Sequence, residues 1–252
     1  MNSMLFKDMQ RVCLLNLVFL SLASASLIKD DFEGASLDTN LWGYANTEGA
    51  VAPAKAGRGL ATHVSTNDQN HRALIYSVKT DFDFTAKSLT LSARISALGG
   101  EGSVSQPVNR YLLIGSFGTQ AEVLNRYYPG SELRYGVWLS AGQTNGVNYL
   151  EVGTVRLGNV TTTRAIYTGQ LTSMSLTLYG TSYSVSARGT GGFSVGTGAG
   201  FSGTLANVYA AEYNGHFRFA MGAANSYQGA VTTGAAADWE SVSVIPEPGP
   251  AP

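Results

Sequence analysis

The chain has 252 residues, of which 13% are charged, and its formal net charge at neutral pH is −1. A nucleic-acid-binding surface requires clustered lysine and arginine, so this composition excludes that class of partner. The single cysteine, Cys13, lies in an N-terminal apolar run, so the rest of the chain has neither disulfides nor thiolate chemistry.

Residues 1–25 have the pattern of a secretory signal peptide. Lys7 and Arg11 lead into an apolar run at 12–22, and a closing Ala-Ser-Ala matches the usual cleavage pattern. The run is shorter than the roughly 20 apolar residues that span a bilayer. We therefore predict cleavage after Ala25, no stable membrane span in the mature chain, and a secreted or cell-envelope protein. Cleavage removes two cations and one acid, so the net charge goes from −1 to −2.

The two ends of the folded region carry similar acidic and aromatic segments. The first strand and turn are predicted at 30–42, DDFEGASLDTNLW, and the last strand at 238–245, DWESVSVI. Chain termini of compact domains often lie close together, so we predict that these segments pair. Trp42 and Trp239 are expected in the core at this strand pair.

Short strand-like segments separated by turn signals fill the chain between these ends. Residues 88–98 alternate between apolar and polar types, which predicts a half-buried antiparallel strand. Residues 174–179 and 183–188 flank a turn and predict a hairpin, whereas glycine-rich 189–203 predicts turn or coil. No amphipathic helix is indicated after the signal peptide. The predicted fold class is all-β, an antiparallel β-sandwich formed by residues 26–245 as one domain, with a barrel or a propeller as alternatives.

The two terminal segments resemble the concanavalin A-like lectin/glucanase jelly-roll superfamily. DDFEGASLDTNLW is similar to the acidic-aromatic first strand and Gly-Ser-Leu-Asp turn of that fold, and residues 215–244 are similar to its closing strands. The resemblance implies a concanavalin-like jelly roll and, near the junction of the first and last strands, a structural calcium ion with Glu33 and Asp238 as ligands. The alternative for these two carboxylates is an ordinary role as turn acceptors. No other cofactor is predicted.

Residues 246–252, PEPGPAP, form a proline-rich tail. The tail resembles the Pro-Glu-Pro head of a PEP-CTERM sorting signal, which occurs on exported proteins of certain Gram-negative bacteria and is associated with exopolysaccharide. The full signal continues into a transmembrane helix and a basic cluster, neither of which lies within this sequence. The alternative is a chance match, because prolines after a terminal strand commonly stop strand pairing.

No complete catalytic motif is present. Family 16 glycoside hydrolases of this superfamily carry Glu-x-Asp-x-x-Glu on one strand, which sets two carboxyls about 5 to 5.5 Å apart. That triplet is missing, and Glu122, Glu132 and Glu151 are isolated. Residues 131–134, SELR, resemble part of an alginate lyase strand, but the other segments of that site are missing. The catalytic alternative is a hydrolase or lyase with an unrecognised site, and the lyase candidates are His71, Tyr76, Arg110 and Tyr135.

The candidate ligand-binding residues are mainly aromatic. Arg126, Tyr127 and Tyr128 lie in a predicted loop, and Tyr135 and Trp138 follow on a strand. Aromatic faces pack on sugar C–H groups while polar side chains bind hydroxyls. The main hypothesis is therefore a secreted, non-catalytic carbohydrate-associated or extracellular-matrix protein with polysaccharide as its partner. A ligand-free structural or adhesive surface protein, whose tyrosines only cover sheet faces, is a further alternative.

Overall fold

A computed structural model describes residues 28–46, 54–55, 59–63, 72–78, 88–101, 108–116, 135–156, 159–196, 201–204, 217–225 and 233–247. These residues form fourteen strands and no helix, so none of them belongs to a helix that could cross a membrane. The strands are β1 Ile28–Asp30, β2 Trp42–Asn46, β3 Ala54–Lys55, β4 Leu60–His63, β5 Arg72–Ser77, β6 Ser88–Glu101, β7 Val108–Ser116, β8 Tyr135–Thr144, β9 Val147–Arg156, β10 Asn159–Tyr179, β11 Ser182–Val195, β12 Ser202–Thr204, β13 Phe217–Asn225 and β14 Thr233–Glu247.

The strands form two antiparallel sheets that share β10. The first sheet has the order β10, β6, β14, β4, β3, with β11 and β12 continuing beyond β10 and β1 lying beside β14. The second sheet has the order β2, β5, β13, β7, β8, β9, β10. The N-terminal half of β10 pairs with β9, and the C-terminal half pairs with β6. The predicted all-β antiparallel architecture is confirmed.

One hydrophobic core lies between the two sheets. In the first sheet, the apolar side chains at alternate positions 89–95 of β6 are all buried, on the face that the sequence alternation predicted. The second sheet contributes Val137, Leu139 and Phe219 from the opposite side. Full burial of a side chain of this size stabilises the fold by roughly 1.5–3 kcal/mol. The core therefore leaves each sheet with an outer face turned away from it.

The predicted pairing of the first and last strands is confirmed, with Ile28 opposite Val244 in the register of β1 and β14. The strand itself is only Ile28–Asp30, and most of the predicted stretch is a turn. Asp30 holds this turn, because one carboxylate oxygen accepts the backbone N–H of Phe32 at 2.7 Å and the other accepts the indole N–H of Trp42 at 2.9 Å. Trp42 is in the core as predicted, but it begins β2 of the second sheet.

Strand β10 is continuous over Asn159–Tyr179, so it begins well before the segment 174–179 that the sequence pattern predicted. A bulge at Gly169, with φ +76°, lets the strand change sheets without ending. The prediction of turn or coil for 189–203 was wrong in part, because β11 continues to Val195. Gly191 and Gly192 accommodate the irregular pairing there with positive φ angles.

The last strand extends into the predicted proline-rich tail. Pro246 lies opposite Leu89 and Glu247 opposite Ser88, so both pair with β6. Residues 248–252, like the predicted signal peptide, lie outside the described residues. The first two residues of the Pro-Glu-Pro motif are therefore part of the sandwich in this structure.

Candidate functional site

Three polar residues lie side by side on the outer face of the second sheet. Ser140 of β8 is opposite Glu151 of β9, which is opposite Arg164 of β10. Their chain neighbours Leu139 and Val152 point into the core, so the side chains of this row point the other way. Glu151 is nevertheless only 1% exposed. Carboxylates are almost never fully buried unless they are paired, so the burial of Glu151 indicates a partner for its carboxylate.

Glu151 is ion-paired with Arg164, whose Nε atom contacts the carboxylate. The Arg164 guanidinium also lies over the ring of Tyr149, 4.5 Å from its centroid. The guanidinium is therefore fixed along one edge by a carboxylate and across one face by an aromatic ring. The Arg164 side chain is 44% exposed, so part of it lies at the protein surface. This arrangement holds the cation in one orientation at the surface.

Aromatic rings on this face lie flat over glycines of the neighbouring strand. A Cβ atom at Gly142 would collide with the ring of Tyr149, and one at Gly153 would collide with the ring of Trp138. Each glycine is the direct cross-strand partner of its aromatic residue. The absence of a side chain on each glycine makes room for the ring. At Gly142 this lets the Tyr149 ring lie close to the sheet, beneath the Arg164 guanidinium.

A groove of about 370 Å³ opens beside this arginine. It is lined by Thr144, Asn145, Val147, Tyr149, Arg164 and Ile166. Val147 is 42% exposed and Ile166 is 60% exposed, so an apolar surface adjoins the cation. A tight turn with positive φ at Asn145 and Gly146 joins β8 to β9 at one end of the groove. Apolar surface with a few placed polar groups is the usual composition of a small-ligand or sugar site.

The Ser140 hydroxyl is also buried in the outer face. It is 2% exposed and has no hydrogen-bond partner within the described part of the chain. A buried hydroxyl without a partner costs roughly 1–3 kcal/mol, so such a group often marks a functional position. It lies next to Glu151, on the side away from Arg164.

A second arginine–tyrosine pair lies on the same face, away from the groove. The Arg218 guanidinium is 5.3 Å from the centroid of the Tyr76 ring and donates a hydrogen bond to the Ser77 carbonyl at 2.9 Å. Tyr76, one of the lyase candidates, is on β5, and strands β13 and β7 separate it from β8. At about 4.8 Å per strand, the strand of Tyr76 is roughly 14 Å from β8 and that of Arg218 is roughly 10 Å from it.

The sequence-predicted binding residues are not brought together in the described structure. Arg126, Tyr127 and Tyr128 lie outside the described residues. Tyr135 begins β8 opposite Arg156, but its side chain is outside the described part. Trp138 is 0% exposed, so its ring presents no surface to solvent. The ligand-binding roles of these five residues stay predictions.

The two predicted calcium ligands lie in different elements of the fold. Glu33 is exposed in the turn after β1, where its backbone N–H donates to Asp31, and Asp238 lies in β14 opposite Ala97 of β6. Among the described residues, no group of three or more acidic, histidine or cysteine side chains is arranged to hold a metal ion. The calcium site stays a prediction, and neither carboxylate belongs to the outer face described above.

Sequence reasoning missed the Glu151–Arg164 pair because it treated Glu151 as isolated. A signal was present: Glu151 lies between Leu150 and Val152, and Arg164 lies in a later segment rich in Thr, Val and Ile, residue types that favour strands. Opposite charges directly across two antiparallel strands stabilise the pairing, so this pattern favours a cross-strand ion pair. The register needed to align them was not available from the pattern.

The sequence matches no protein-family model and no curated protein. Among solved structures, a xyloglucan-locus GH43B protein of Bacteroides ovatus is similar over 87% of this chain, with a TM-score of 0.56 and 15% identity. The fold is an antiparallel β-sandwich. The predicted fold class is thus confirmed, whereas identity this low shows nothing beyond the fold.

The likeness covers 39% of the Bacteroides ovatus protein, so this chain spans about two fifths of its length. A pseudo-β-1,3-glucanase antigen of Mycobacterium tuberculosis has a TM-score of 0.49 and 10% identity, with 88% of this chain and 99% of that one covered. A family 7 alginate lyase, A1-II′, has a TM-score of 0.49 and 12% identity, with 85% and 98% covered.

Proposed function

We propose that the protein binds an extracellular polysaccharide at the groove beside Arg164 and does not cleave it. The observation that carries this proposal is the Arg164 guanidinium, held by Glu151 and Tyr149 next to exposed apolar surface. A sugar ring has an apolar C–H face and a polar rim, so it matches this combination. An arginine fork also binds carboxylates of acidic sugars in two-point geometry.

The non-catalytic form of the proposal rests on the number of carboxylates. Glycoside hydrolysis by the usual mechanisms uses two carboxyl groups, one on each side of the scissile bond. Glu151 is the one carboxylate in the described strands of the second sheet. It is already engaged by Arg164, so its role here is to hold the arginine in place.

Binding would be tested by affinity electrophoresis and calorimetry of the full chain against neutral and acidic polysaccharides. Arg164→Ala should weaken binding about tenfold or more, since it removes the charge-assisted contacts. Arg218→Ala is the matched control, because it removes an arginine from a tyrosine ring on the same face but outside the groove. Wild-type affinity in a folded Arg164→Ala variant would refute the proposal.

The second candidate is a polysaccharide lyase or glycoside hydrolase. Two observations favour it: the similar solved structures are named as glycoside hydrolases and an alginate lyase, and the buried Ser140 hydroxyl adjoins Glu151. Enzymatic turnover would yield new reducing ends or unsaturated products, and Glu151→Gln should abolish it. A protein that neither binds nor cleaves any polysaccharide would instead fit the ligand-free surface role.

We also propose export and surface association. The support is the N-terminal pattern ending at Ala25 and the Pro-Glu-Pro motif at 246–248. N-terminal sequencing of the protein after expression in a Gram-negative host should give a start at Ser26. A start at Met1 in the exported fraction would contradict cleavage and the domain boundary at 26.

A further inference from the structure

The outer face of the first sheet carries a row of serines across four adjacent strands. Ser243 of β14, Ser92 of β6, Ser175 of β10 and Ser186 of β11 are successive cross-strand partners. Lys29 of β1 lies opposite Ser243 and extends the row by one strand. We call these four serines the serine row. At about 4.8 Å per strand, the row and its lysine span roughly 19 Å.

Hydrogen bonds between strands hold the hydroxyls of this face in a regular pattern. The Ser92 and Ser175 hydroxyl oxygens are 2.8 Å apart, and the same distance separates those of Thr90 and Thr177 one step along the strands. Each hydroxyl keeps further donor or acceptor capacity after forming such a bond. The serine row therefore offers repeated hydrogen-bonding groups with fixed spacing, and Ile245, which is 37% exposed, lies beside it on the same face, opposite Thr90.

Cations flank the serine row. Arg94 and Arg188 lie on either side of Ser173 in the adjacent cross-strand row, and Lys29 lies at the end of the serine row. Arg94 pairs with Glu240 at 3.2 Å, but its side chain remains 73% exposed. Arg188 and Lys29 are exposed as well. This surface is thus locally positive on a chain whose formal net charge is −1.

These residues shape a shallow groove of about 320 Å³. Serines from four strands form its floor, and Arg94 and Arg188 are the charged side chains that line it. The groove lies on the sheet opposite to the one that carries Arg164, with the hydrophobic core between the two. A ligand bound here therefore cannot contact the Arg164 groove in the same domain.

We infer that this groove binds an anionic polysaccharide chain that lies across the strands. Carboxylate or sulfate groups would pair with Arg188, Arg94 and Lys29, and sugar hydroxyls would exchange hydrogen bonds with the serine row. The floor has no apolar anchor of the kind that peptide and lipid ligands need, which favours a polyhydroxylated partner. The positive flanks favour an acidic chain over a neutral one.

The test is affinity of the full chain for polygalacturonate, heparin and neutral dextran, measured by biosensor at several salt concentrations. Arg188→Ser should weaken binding of an anionic chain about tenfold. Ser175→Phe should weaken it as much by filling the floor without changing charge. Binding should also fall as salt rises, since exposed ion pairs are screened. The polygalacturonate and heparin arms distinguish carboxylate from sulfate as the recognised group.

Two controls separate the groove from other effects. Thr181→Glu lowers the net charge by the same amount as Arg188→Ser, but it lies in the turn after β10, outside the groove. Ser184→Phe adds the same ring on the outer face of β11 outside the groove lining. Both should bind like wild type, with thermal melts confirming that each variant is folded.

Several results would overturn the inference. Unchanged binding in both Arg188→Ser and Ser175→Phe would exclude the groove, and equal weakening by Thr181→Glu would show that only net charge matters. Equal affinity for dextran would refute charge selection, and equal affinity for single-stranded DNA would refute recognition of the sugar chain. Arg164→Ala, measured in parallel, shows separately whether the groove on the second sheet contributes.

Discussion

The buried Glu151–Arg164 pair predicts unequal costs for removing its two members. Arg164→Ala leaves a carboxylate that is 1% exposed without its guanidinium. Breaking a buried pair in this way costs roughly 3–5 kcal/mol, and we expect about 3 because Arg164 is 44% exposed. Glu151→Gln removes the buried charge and leaves an arginine that water can reach, so we expect about 1 kcal/mol. At 2–4 °C per kcal/mol for a chain of this size, the melting temperature should fall by roughly 6–12 °C and 2–4 °C respectively.

Urea unfolding followed by tryptophan fluorescence would measure these free energies of unfolding. The double variant Glu151→Gln/Arg164→Ala should be more stable than Arg164→Ala alone, by about 2 kcal/mol, since no uncompensated carboxylate remains. If Glu151→Gln costs as much as Arg164→Ala, or if the double variant gains nothing, the carboxylate is not stabilised mainly by this arginine. Arg164 would then not be held at the candidate site by its ion pair with Glu151.

Three further predictions concern stability. Gly153→Ala should cost about 1–3 kcal/mol in urea unfolding and change tryptophan fluorescence, because its Cβ atom would displace the Trp138 ring; an unchanged spectrum would contradict this. Asp30→Ala should cost about 2 kcal/mol by leaving the buried Trp42 indole N–H without its acceptor, whereas Asp30→Asn should recover part of the loss. Burial raises the pKa of Tyr183 above its ordinary value of about 10. The stability that the neutral Tyr183 side chain contributes is therefore complete below about pH 10 and is lost as pH rises through the folded-state pKa. Tyr183→Phe should make the melting temperature fall less steeply above about pH 10.

The fold was predictable because its main determinants are local patterns in the sequence. Alternation at 88–98 identified the core face of β6, and the turn between 174–179 and 183–188 identified the hairpin of β10 and β11. The paired ends followed from their similar acidic and aromatic composition. The core position of Trp42 was predicted correctly, but its strand was not, because no local pattern shows that a turn carries the chain from one sheet to the other.

The candidate site was not predictable in the same way, because it depends on register across strands that are distant in the sequence. Glu151 and Arg164 meet only when β9 and β10 align residue for residue, and a shift of one position would turn one of them into the core. The burial of Trp138 was not predictable for the same reason. Its ring is 0% exposed because it packs over Gly153 of the neighbouring strand, and that pairing depends on the register. Residue type alone favoured an exposed aromatic there.

Strand β10 explains how one sandwich carries both proposed grooves. Its core-facing residues are odd-numbered as far as Leu171 and even-numbered from Met174 onward. The register shift between Leu171 and Ser173 produces this change, because a bulge adds one residue and reverses the alternation. Without it, the serines of β10 would face the core of the first sheet and the apolar residues would face solvent. The register shift between Leu171 and Ser173 therefore places Arg164 on one outer face and Ser175 on the other.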